Sequence, residues 1–246
     1  MENDKRLIIV GTGIQLGHLT LEAQSAISSA KKLLYLVSDP VTEQYLCKLN
    51  QTAENLIGFY EEGKDRIITY QEMIEHIMKR LEENNDLCVA FYGHPGVFTY
   101  PSHKAIQRAR ALGYEARMLP GISTEDLLFA ELGIDPGEFG LQSFEATAYL
   151  YNAYKIDPKC YVILWQIGVL GQLKYTQNLQ IKPELIRIRD LLLTIYPEDQ
   201  EIILYYASSH RIINSSIIYS QLKKLDEIEF NPVSTMVIRP LKQNKV

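Results

Sequence analysis

The sequence predicts an α/β protein built from two domains. Over the first half of the chain, short apolar runs rich in β-branched residues alternate with segments of helical periodicity. This alternation implies a mostly parallel sheet with crossover helices on its faces. Beyond the densest turn cluster, Gly133 to Gly140, the strand-like runs are spaced further apart. We therefore predict one domain over residues 1–120 and a second, with its own sheet, over residues 121–246.

The chain begins with a strand, a tight loop and a helix. The apolar run Leu7 to Val10 predicts a buried strand that ends in the loop Gly11 to Gly13. Thr20 is placed to cap a helix that runs through Lys32. Lys31 and Lys32 then occupy its last turn, where cations complement the helix dipole.

A further helix is predicted by a capping box. Thr69 and Glu72 have the S/T-x-x-E spacing, and Met73, Ile77 and Leu81 follow at intervals of four residues. The other predicted elements of the first half are strands at Leu33 to Val37 (closed by Asp39-Pro40), Leu87 to Tyr92 and Tyr114 to Leu119, and a helix at Ser102 to Leu112. The second half has predicted strands at Cys160 to Trp165, Ile202 to Ala207 and Thr235 to Ile238.

Composition excludes several classes of protein. With 25 Lys and Arg against 30 Asp and Glu, the net charge of −5 argues against a protein that binds nucleic acid through phosphate contacts. A 46% hydrophobic fraction excludes intrinsic disorder. No apolar run is long enough to span a membrane, no signal peptide is visible, and the three cysteines form no C-x-x-C pair. The five histidines do not have the spacing of metal ligands, so we predict no metal site. The separated cysteines and the lack of a visible signal peptide or membrane span predict a cytoplasmic protein.

Three loops follow predicted parallel strands, where ligands bind in open α/β sheets. Gly11 to Gly17 has one residue too many for the dinucleotide fingerprint, so it indicates only a tight turn. Tyr92 to Phe98 is a stiff Gly-Pro turn that either is purely structural or lets a ligand approach the backbone. In Pro120 to Asp126, Ser123 and Asp126 form a capping box, and the free backbone N–H groups there could also receive a ligand carboxylate.

A fourth segment gathers polar aromatic residues around a helix start. Between Phe59 and Tyr70 the chain carries Tyr60, Arg66 and Tyr70. Arg66 and Tyr70 are four residues apart, so they share one face if the helix begins early. On its own the pattern also fits tyrosines that lie at the surface of a polar helix turn.

Taken in chain order, these motifs resemble a known superfamily. Gly-Thr-Gly-Ile near the start, Val-x-Asp-Pro after the second strand, Phe-Tyr-Gly-His-Pro-Gly-Val-Phe and Met-Leu-Pro-Gly-Ile-Ser-Thr-Glu-Asp together are similar to the tetrapyrrole methylases. More narrowly, the chain resembles the borosin α-N-methyltransferases, which methylate backbone amides of a precursor peptide. The narrower resemblance includes Tyr60, Gly63-Lys64, Arg66, Thr69-Tyr70, Pro101-Ser102-His103, Glu145-Ala146, Gln166-x-Gly168 and Val233-Ser234-Thr235.

The resemblance implies a fold, a cofactor and a set of site residues. The fold is the two-domain class III S-adenosyl-L-methionine (SAM) methyltransferase fold, with the cofactor in the cleft between the domains and S-adenosyl-L-homocysteine as its product. Tyr60, Arg66 and Tyr70 correspond to the catalytic cluster. The implied SAM contacts are Tyr92, His94, Val97, Phe98, Ser123, Thr124, Gln166, Ala207, Ser234 and Thr235.

Amide chemistry suggests what the catalytic cluster would do. The lone pair of an amide nitrogen is delocalised, so methylation must remove the N–H proton and hold the charge that develops on the carbonyl oxygen. We expect Arg66 to lower the pKa of Tyr70 or Tyr60 and to polarise the amide. Tyr92 would help to position the methyl donor.

The resemblance also implies partners. Fungal members of the family carry their substrate as a long C-terminal extension, whereas here only a short polar tail follows Ile238. This resembles the split arrangement, in which the precursor peptide is a separate chain, and a homodimer that binds two precursors is implied. Two alternatives stay open: methylation of a tetrapyrrole or other small molecule, and a non-catalytic scaffold that binds SAM or the precursor.

Overall fold

The computed structural model describes residues 5–152, 154–229 and 231–241, and these form two compact units. The first unit comprises the described chain up to Leu127 together with Lys174–Thr176 and Ser208–Ile213. The second unit comprises the other described residues. Two short segments of the second half of the sequence therefore belong to the first unit.

The first unit contains a five-stranded parallel sheet with the strand order β3-β2-β4-β1-β5. Its strands are β1 (Arg6–Gly11), β2 (Lys32–Leu36), β3 (Glu54–Asn55), β4 (Asp86–Phe91) and β5 (Glu115–Leu119). The helices that begin in it are α1 (Leu21–Ser29), α2 (Pro40–Leu49), α3 (Arg66–Asn84), α4 (Tyr100–Ala111) and α5 (Thr124–Leu132). The predicted parallel sheet with helices between its strands is thus confirmed.

The central strands are apolar throughout because helices cover both faces of the sheet. Successive side chains of a strand point to opposite faces. Accordingly Leu7 and Ile9 of β1 lie in the hydrophobic core formed with α3 and α4, whereas Ile8 and Val10 lie in the core formed with α1 and α2. The run that predicts one buried strand therefore fills two separate cores.

Helix α3 begins three residues before the predicted capping box. Its first backbone hydrogen bonds run from the N–H groups of Ile68 and Thr69 to the carbonyl of Asp65, and Thr69 is fully buried inside the helix. Thr69 therefore extends the buried stripe of Met73, Ile77 and Leu81 by one turn instead of capping it. The prediction of the stripe is confirmed, and the prediction of Thr69 as the cap is wrong. The early start places Arg66 in the first turn.

Helix α1 is shorter than predicted. Thr20 caps it as expected, accepting a hydrogen bond from the Ala23 N–H, but the helix ends at Ser29. The buried side chain of Asn50 donates to the carbonyls at the end of this helix, those of Ile27 and Ala30. The Asn50 amide thus binds the last carbonyls of the helix. Lys31 and Lys32, which the sequence predicts in its last turn, lie beyond its end.

One helix of the first unit, α2, was not predicted. Asp39 does not simply close the preceding strand: its carboxylate accepts a hydrogen bond from the Thr42 N–H and caps α2. Pro40 occupies the first helical position, where its missing N–H costs nothing.

The second unit has its own five-stranded sheet, as predicted, but the sheet is mixed. Its strands are β6 (Leu141–Glu145), β7 (Tyr161–Trp165), β8 (Glu201–Tyr206), β9 (Ser216–Gln221) and β10 (Thr235–Ile238), in the order β6-β7-β10-β8-β9. Only β6 and β7 are parallel. Helices α6 (Pro136–Phe139), α7 (Ala146–Asn152) and α8 (Lys182–Leu193) complete the helices of the described chain, and α7 and α8 pack on the core of this sheet. Strands β6 and β9 and these helices were not predicted.

Candidate active site

Three glycines lie together at the carboxyl edge of the first sheet, where ligands bind in parallel α/β folds. A Cβ atom on Gly11 would lie 2.3 Å from the Gly93 carbonyl oxygen, and one on Gly121 would lie 2.5 Å from the same atom. The backbones after β1, β4 and β5 can therefore approach one another only because these residues have no side chain. This packing fixes the base of the loops that the sequence singled out.

The loop after β4 presents exposed apolar side chains. The Tyr92 N–H donates to the Leu36 carbonyl at 2.9 Å, and His94 Nδ1 accepts from the Gly96 N–H at 2.9 Å. Val97 and Phe98 are 43% and 50% exposed, and Phe98 has a φ of +51°. A positive φ is unfavourable for a residue with a bulky side chain, and strain of this kind is concentrated at binding sites.

Ser123 and Thr124 stand at the start of α5, beyond the end of β5. The Ser123 hydroxyl donates to the Asp126 carboxylate at 2.8 Å and accepts from the Asp126 N–H at 3.4 Å, so the predicted capping box is confirmed. This bond uses the Ser123 hydroxyl within the helix cap. Backbone N–H groups of the first turn remain the natural donors to a ligand here.

The implied cofactor residues of the second half gather at one end of the second sheet. Because β10 runs antiparallel to both neighbours, its start lies beside the ends of β7 and β8: Thr235 pairs with Tyr205 of β8, and Met236 pairs with Leu164 of β7. Gln166 directly follows β7, and Ala207 directly follows β8.

The turn at Gln166 packs against the loop that leads to β10. Gln166 is exposed and has a φ of +60°, and a Cβ atom on Gly168 would lie 2.3 Å from the Asn231 carbonyl oxygen. Ser234 and Thr235 are each only 2% exposed. Ser234 lines a cavity of about 230 Å³ in the second unit, together with Leu204, Tyr206, Ser216, Ile218, Glu229 and Asn231.

The implied catalytic residues Tyr60, Arg66 and Tyr70 are close together in the first unit. Tyr60 follows a short 3₁₀ turn, and its ring packs against the core beneath α3. Its hydroxyl lies close to that of Tyr70, which is one turn along α3 from Arg66. The ring of Tyr70 lies 6.2 Å from the ring of Tyr100. The helix does begin early enough for Arg66 and Tyr70 to share a face.

Arg66 lacks an internal partner, although it is only partly exposed. Within residues 5–152, 154–229 and 231–241 its guanidinium makes no ion pair and no hydrogen bond. The neighbouring carboxylates of Glu61 and Glu72 are instead bound to Lys64, which also donates to the Phe59 carbonyl at 3.2 Å. The donors of Arg66 are therefore available to a ligand.

Burial governs the ionisation of Tyr60. Burial raises the pKa of Tyr60 well above its ordinary value, the neighbouring Tyr70 raises it further, and Arg66 opposes this only in part. Arg66 does act to lower the pKa of Tyr60, as expected, but loss of water around the phenol outweighs the nearby positive charge, so the net pKa is raised. Tyr60 is a neutral hydrogen-bond donor at physiological pH.

Two aromatic contacts of this cluster were not predicted from the sequence. The Tyr175 ring packs against that of Tyr60 with centroids 5.2 Å apart, and Tyr100 packs beside Tyr70. Tyr100 could have been found from its place at the start of α4, four residues after Gly96. Tyr175 carries no local signal, because it lies more than a hundred residues from its partner.

Among the described residues, no group of His, Cys, Asp and Glu side chains is arranged to hold a metal ion. Across the same part of the chain, none of the helices combines the length and the apolar character of a membrane span.

Comparison with known proteins agrees with the motifs. Residues 6–209 match the family described as Tetrapyrrole (Corrin/Porphyrin) Methylases. A methyltransferase/ribosomally synthesized cyclic peptide dendrothelin A precursor from Dendrothele bispora is 45% identical over 166 residues, which are 67% of this chain and 40% of that protein. A methyltransferase/ribosomally synthesized type III borosin cyclic peptide precursor from Anomoporia bombycina is 38% identical over 208 residues, which are 82% of this chain and 24% of that protein. The chain thus spans less than half the length of these relatives.

Solved structures share the fold. The uroporphyrin-III C-methyltransferase from Thermus thermophilus, complexed with S-adenyl homocysteine, superposes with a TM-score of 0.62 over 95% of this chain and 97% of that chain. Its 15% sequence identity supports a likeness of fold alone. The predicted α/β fold of the tetrapyrrole methylase type is therefore confirmed.

Proposed function

Since this chain belongs to the tetrapyrrole (corrin/porphyrin) methylase family, we propose that it is a SAM-dependent methyltransferase whose acceptor is a backbone amide nitrogen of a peptide. One observation carries the proposal: Arg66, a partly exposed arginine without a partner among the described residues, lies close to the two phenols of Tyr60 and Tyr70. Relatives whose names join a methyltransferase to a cyclic peptide precursor support the choice of a peptide.

An amide nitrogen needs help to act as a nucleophile. Its lone pair is shared with the carbonyl group, so the N–H proton must leave while negative charge accumulates on the carbonyl oxygen. Hydrogen-bond donors fixed in advance around that oxygen stabilise the charge, and each contributes roughly 3 to 4 kcal/mol to the transition state. A cationic donor is stronger than a neutral one.

The cluster offers groups of both kinds. Arg66 supplies a guanidinium that is not already neutralised, because Lys64 binds the nearby carboxylates of Glu61 and Glu72. Tyr60 supplies a neutral hydroxyl, since burial keeps its pKa high. Tyr70 is then the candidate proton acceptor: a phenolate on Tyr70 would receive the hydrogen bond that Tyr60 donates.

Two groups of residues are suited to hold the cofactor. SAM supplies an electrophilic methyl group and leaves as S-adenosyl-L-homocysteine. At the carboxyl edge of the first sheet, Tyr92, Val97 and Phe98 offer exposed apolar surface for an adenosyl group or a thioether, beside His94, Ser123 and Thr124. In the second unit, the buried hydroxyls of Ser234 and Thr235 lie at the same end of the sheet as Gln166 and Ala207. These residue types fit the cofactor, and we propose both groups as its ligands.

We propose that the acceptor peptide is a separate chain. Among the described residues, the guanidinium of Arg66 has no partner that an incoming peptide would have to displace. The homodimer and its binding of two precursors stay predictions of the resemblance, and the cytoplasmic location stays a prediction of the sequence composition.

Co-expression with candidate precursors tests the proposal. Short peptides encoded beside the gene would be produced with the protein and analysed by intact-mass and fragmentation mass spectrometry. We expect mass gains in whole methylene steps on backbone nitrogens with the wild type and with Lys79→Ala, a control that removes an exposed cation from the same helix. Arg66→Ala should give little or no gain.

The same experiment separates the alternatives. Undiminished methylation by Arg66→Ala would contradict the assigned site. A protein that binds SAM but methylates none of the peptides would be tested next on tetrapyrroles, for which a coloured purified protein would be the first sign. Failure on both substrate classes would favour a binding scaffold.

A further inference from the structure

A short strap crosses the loop before α3. The strap consists of Lys174, Tyr175 and Thr176, three residues that belong to the first unit although the residues on both sides of them belong to the second. The Gly63 N–H donates to the Tyr175 carbonyl at 2.8 Å, and the Tyr175 N–H donates to the Lys64 carbonyl at 2.9 Å. These reciprocal bonds form an antiparallel pair that fixes the backbone of Tyr175.

Contacts at both ends of the strap strengthen this attachment. Asp65 and Lys174 form a β-bridge, and the Thr176 hydroxyl donates to the Glu62 carboxylate at 2.5 Å. Asp65 directly precedes Arg66 in the chain. The strap is therefore bound to the segment from which the catalytic helix begins.

Tyr60 contacts both the core and the strap. Its ring packs against the core beneath α3, and the centroid of the Tyr175 ring lies 5.2 Å from its own, with the planes tilted by 49°. The groups that act electrostatically on Tyr60 are Tyr70 and Arg66 from α3 and Tyr175 from the strap. Within the described residues, the Tyr175 hydroxyl makes no hydrogen bond.

We propose that Tyr175 is a positioning residue of the methylation site, whose ring holds Tyr60 in place so that the Tyr60 hydroxyl stays beside that of Tyr70. This inference rests on the proposed function, because it gives Tyr60 its role as a donor. An aromatic ring is well suited to this role because it has few rotatable bonds and packs favourably against a second ring. The backbone bonds of the strap keep that ring in register.

Three substitutions within the strap distinguish the contribution of the Tyr175 ring from that of the backbone hydrogen bonds. Tyr175→Ala removes the ring, Tyr175→Phe keeps the ring without its hydroxyl, and Lys174→Ala changes an exposed neighbour whose contribution is through the backbone. We expect Tyr175→Ala to reduce the turnover number about tenfold or more, since small displacements of catalytic groups cost on that order. Tyr175→Phe and Lys174→Ala should stay close to wild type, and the affinity for SAM should not change in any of them.

A second readout needs no peptide. In protein labelled with ¹³C at the tyrosine ζ carbon, the signal of Tyr60 is identified by its loss in Tyr60→Phe. In the wild type, the Tyr60 signal should remain that of a neutral phenol at pH ~10, where exposed tyrosines ionise. Tyr175→Ala exposes Tyr60 to water and removes a neighbour that raises its pKa, so its signal should titrate at lower pH.

The two readouts make the outcomes decisive. If the Tyr60 signal of Tyr175→Ala titrates as in the wild type, the positioning role is overturned, even where turnover falls, because the loss would not pass through Tyr60. If the signal shifts but the wild-type protein methylates no peptide, the strap acts on Tyr60 as inferred and the proposed function is what fails. Circular dichroism shows that each variant is folded before either comparison.

Discussion

Arg66 and Arg80, at two positions of helix α3, differ in their ion pairing. Toward the end of the helix, Arg80 donates to Glu54 at 3.1 Å and to Glu83 at 2.9 Å. At the start of the same helix, Arg66 has no such partner among the described residues. Both side chains are partly exposed, so burial does not explain the difference.

The carboxylate of Glu54 shows what the paired region achieves. It binds Lys32 at 2.8 Å, His76 at 2.7 Å and Arg80 at 3.1 Å. Burial would raise the pKa of Glu54, but the hydrogen bonds from Lys32, Arg80 and His76 outweigh it and lower the pKa to about 2. The comparison indicates that the charges around Glu54 stabilise the fold, whereas the guanidinium of Arg66 is available to the ligand that we propose.

Removing each of the two arginines in turn should give the largest effects. Arg66→Ala should lower the rate of peptide methylation by about 10²- to 10³-fold, the usual cost of losing a donor to a developing oxyanion. Its urea unfolding curve should match the wild type, because no internal bond is lost. Arg80→Ala should do the reverse, with reduced stability and an unchanged rate per folded molecule. Equal losses of stability in the two variants would remove the distinction.

The two tyrosines of the cluster should differ from each other. Tyr70→Phe removes the candidate proton acceptor and should lower turnover by about 10²-fold, a typical contribution of a general base. Tyr60→Phe removes one neutral donor, and its loss should be smaller. Steady-state rates at saturating SAM and peptide would compare them, with Tyr219→Phe, an exposed tyrosine of β9, as the control. A larger loss in Tyr60→Phe would reverse the assigned roles.

Glu54→Gln should act on stability alone. Removing the carboxylate leaves Lys32 and Arg80 without their shared partner, and the lowered pKa corresponds to about 3 kcal/mol of folding free energy at neutral pH. Urea unfolding would measure this loss. Glu75→Gln, which removes an exposed ion pair with Arg108, should cost less than about 0.5 kcal/mol. Methylation per folded molecule should be unchanged in both.

The same carboxylate predicts a pH dependence. The folded pKa of Glu54, about 2, lies below the ordinary glutamate value of about 4.3. Its contribution is therefore complete above the ordinary value and is lost as the pH falls toward 2. The difference in unfolding free energy between wild type and Glu54→Gln should shrink across this acid range. A constant difference from neutral pH downward would show that the carboxylate charge is not the cause.

The sequence predicted those features that depend on local pattern. The alternating buried runs predicted the parallel first sheet, and the Ser123 and Asp126 spacing predicted a helix cap that is present. The start of α3 was misplaced because Thr69 has the right spacing for a cap but is buried by tertiary packing. The end of α1 was misplaced because Asn50, twenty residues away, binds its last carbonyl.

The candidate site was predictable as a set of residues but not as a set of charges. The motifs identified Tyr60, Arg66 and Tyr70, yet the raised pKa of Tyr60 comes from burial, which the sequence around it does not reveal. Likewise, the Arg66 guanidinium has no partner among the described residues, and the carboxylates of Glu61 and Glu72 are bound to Lys64 instead. Tyr175 reaches Tyr60 through backbone pairing between distant segments, and no local spacing encodes such pairing.

The most direct test uses purified components. The protein would be incubated with a candidate precursor peptide and SAM carrying a trideuterated methyl group, and the product would be fragmented in a mass spectrometer. We predict trideuteromethyl groups on backbone nitrogens with the wild type and with Arg80→Ala, and a rate of methylation that is lower by about 10²-fold or more with Arg66→Ala. Label on side chains, or equal labelling by Arg66→Ala, would contradict the proposed site.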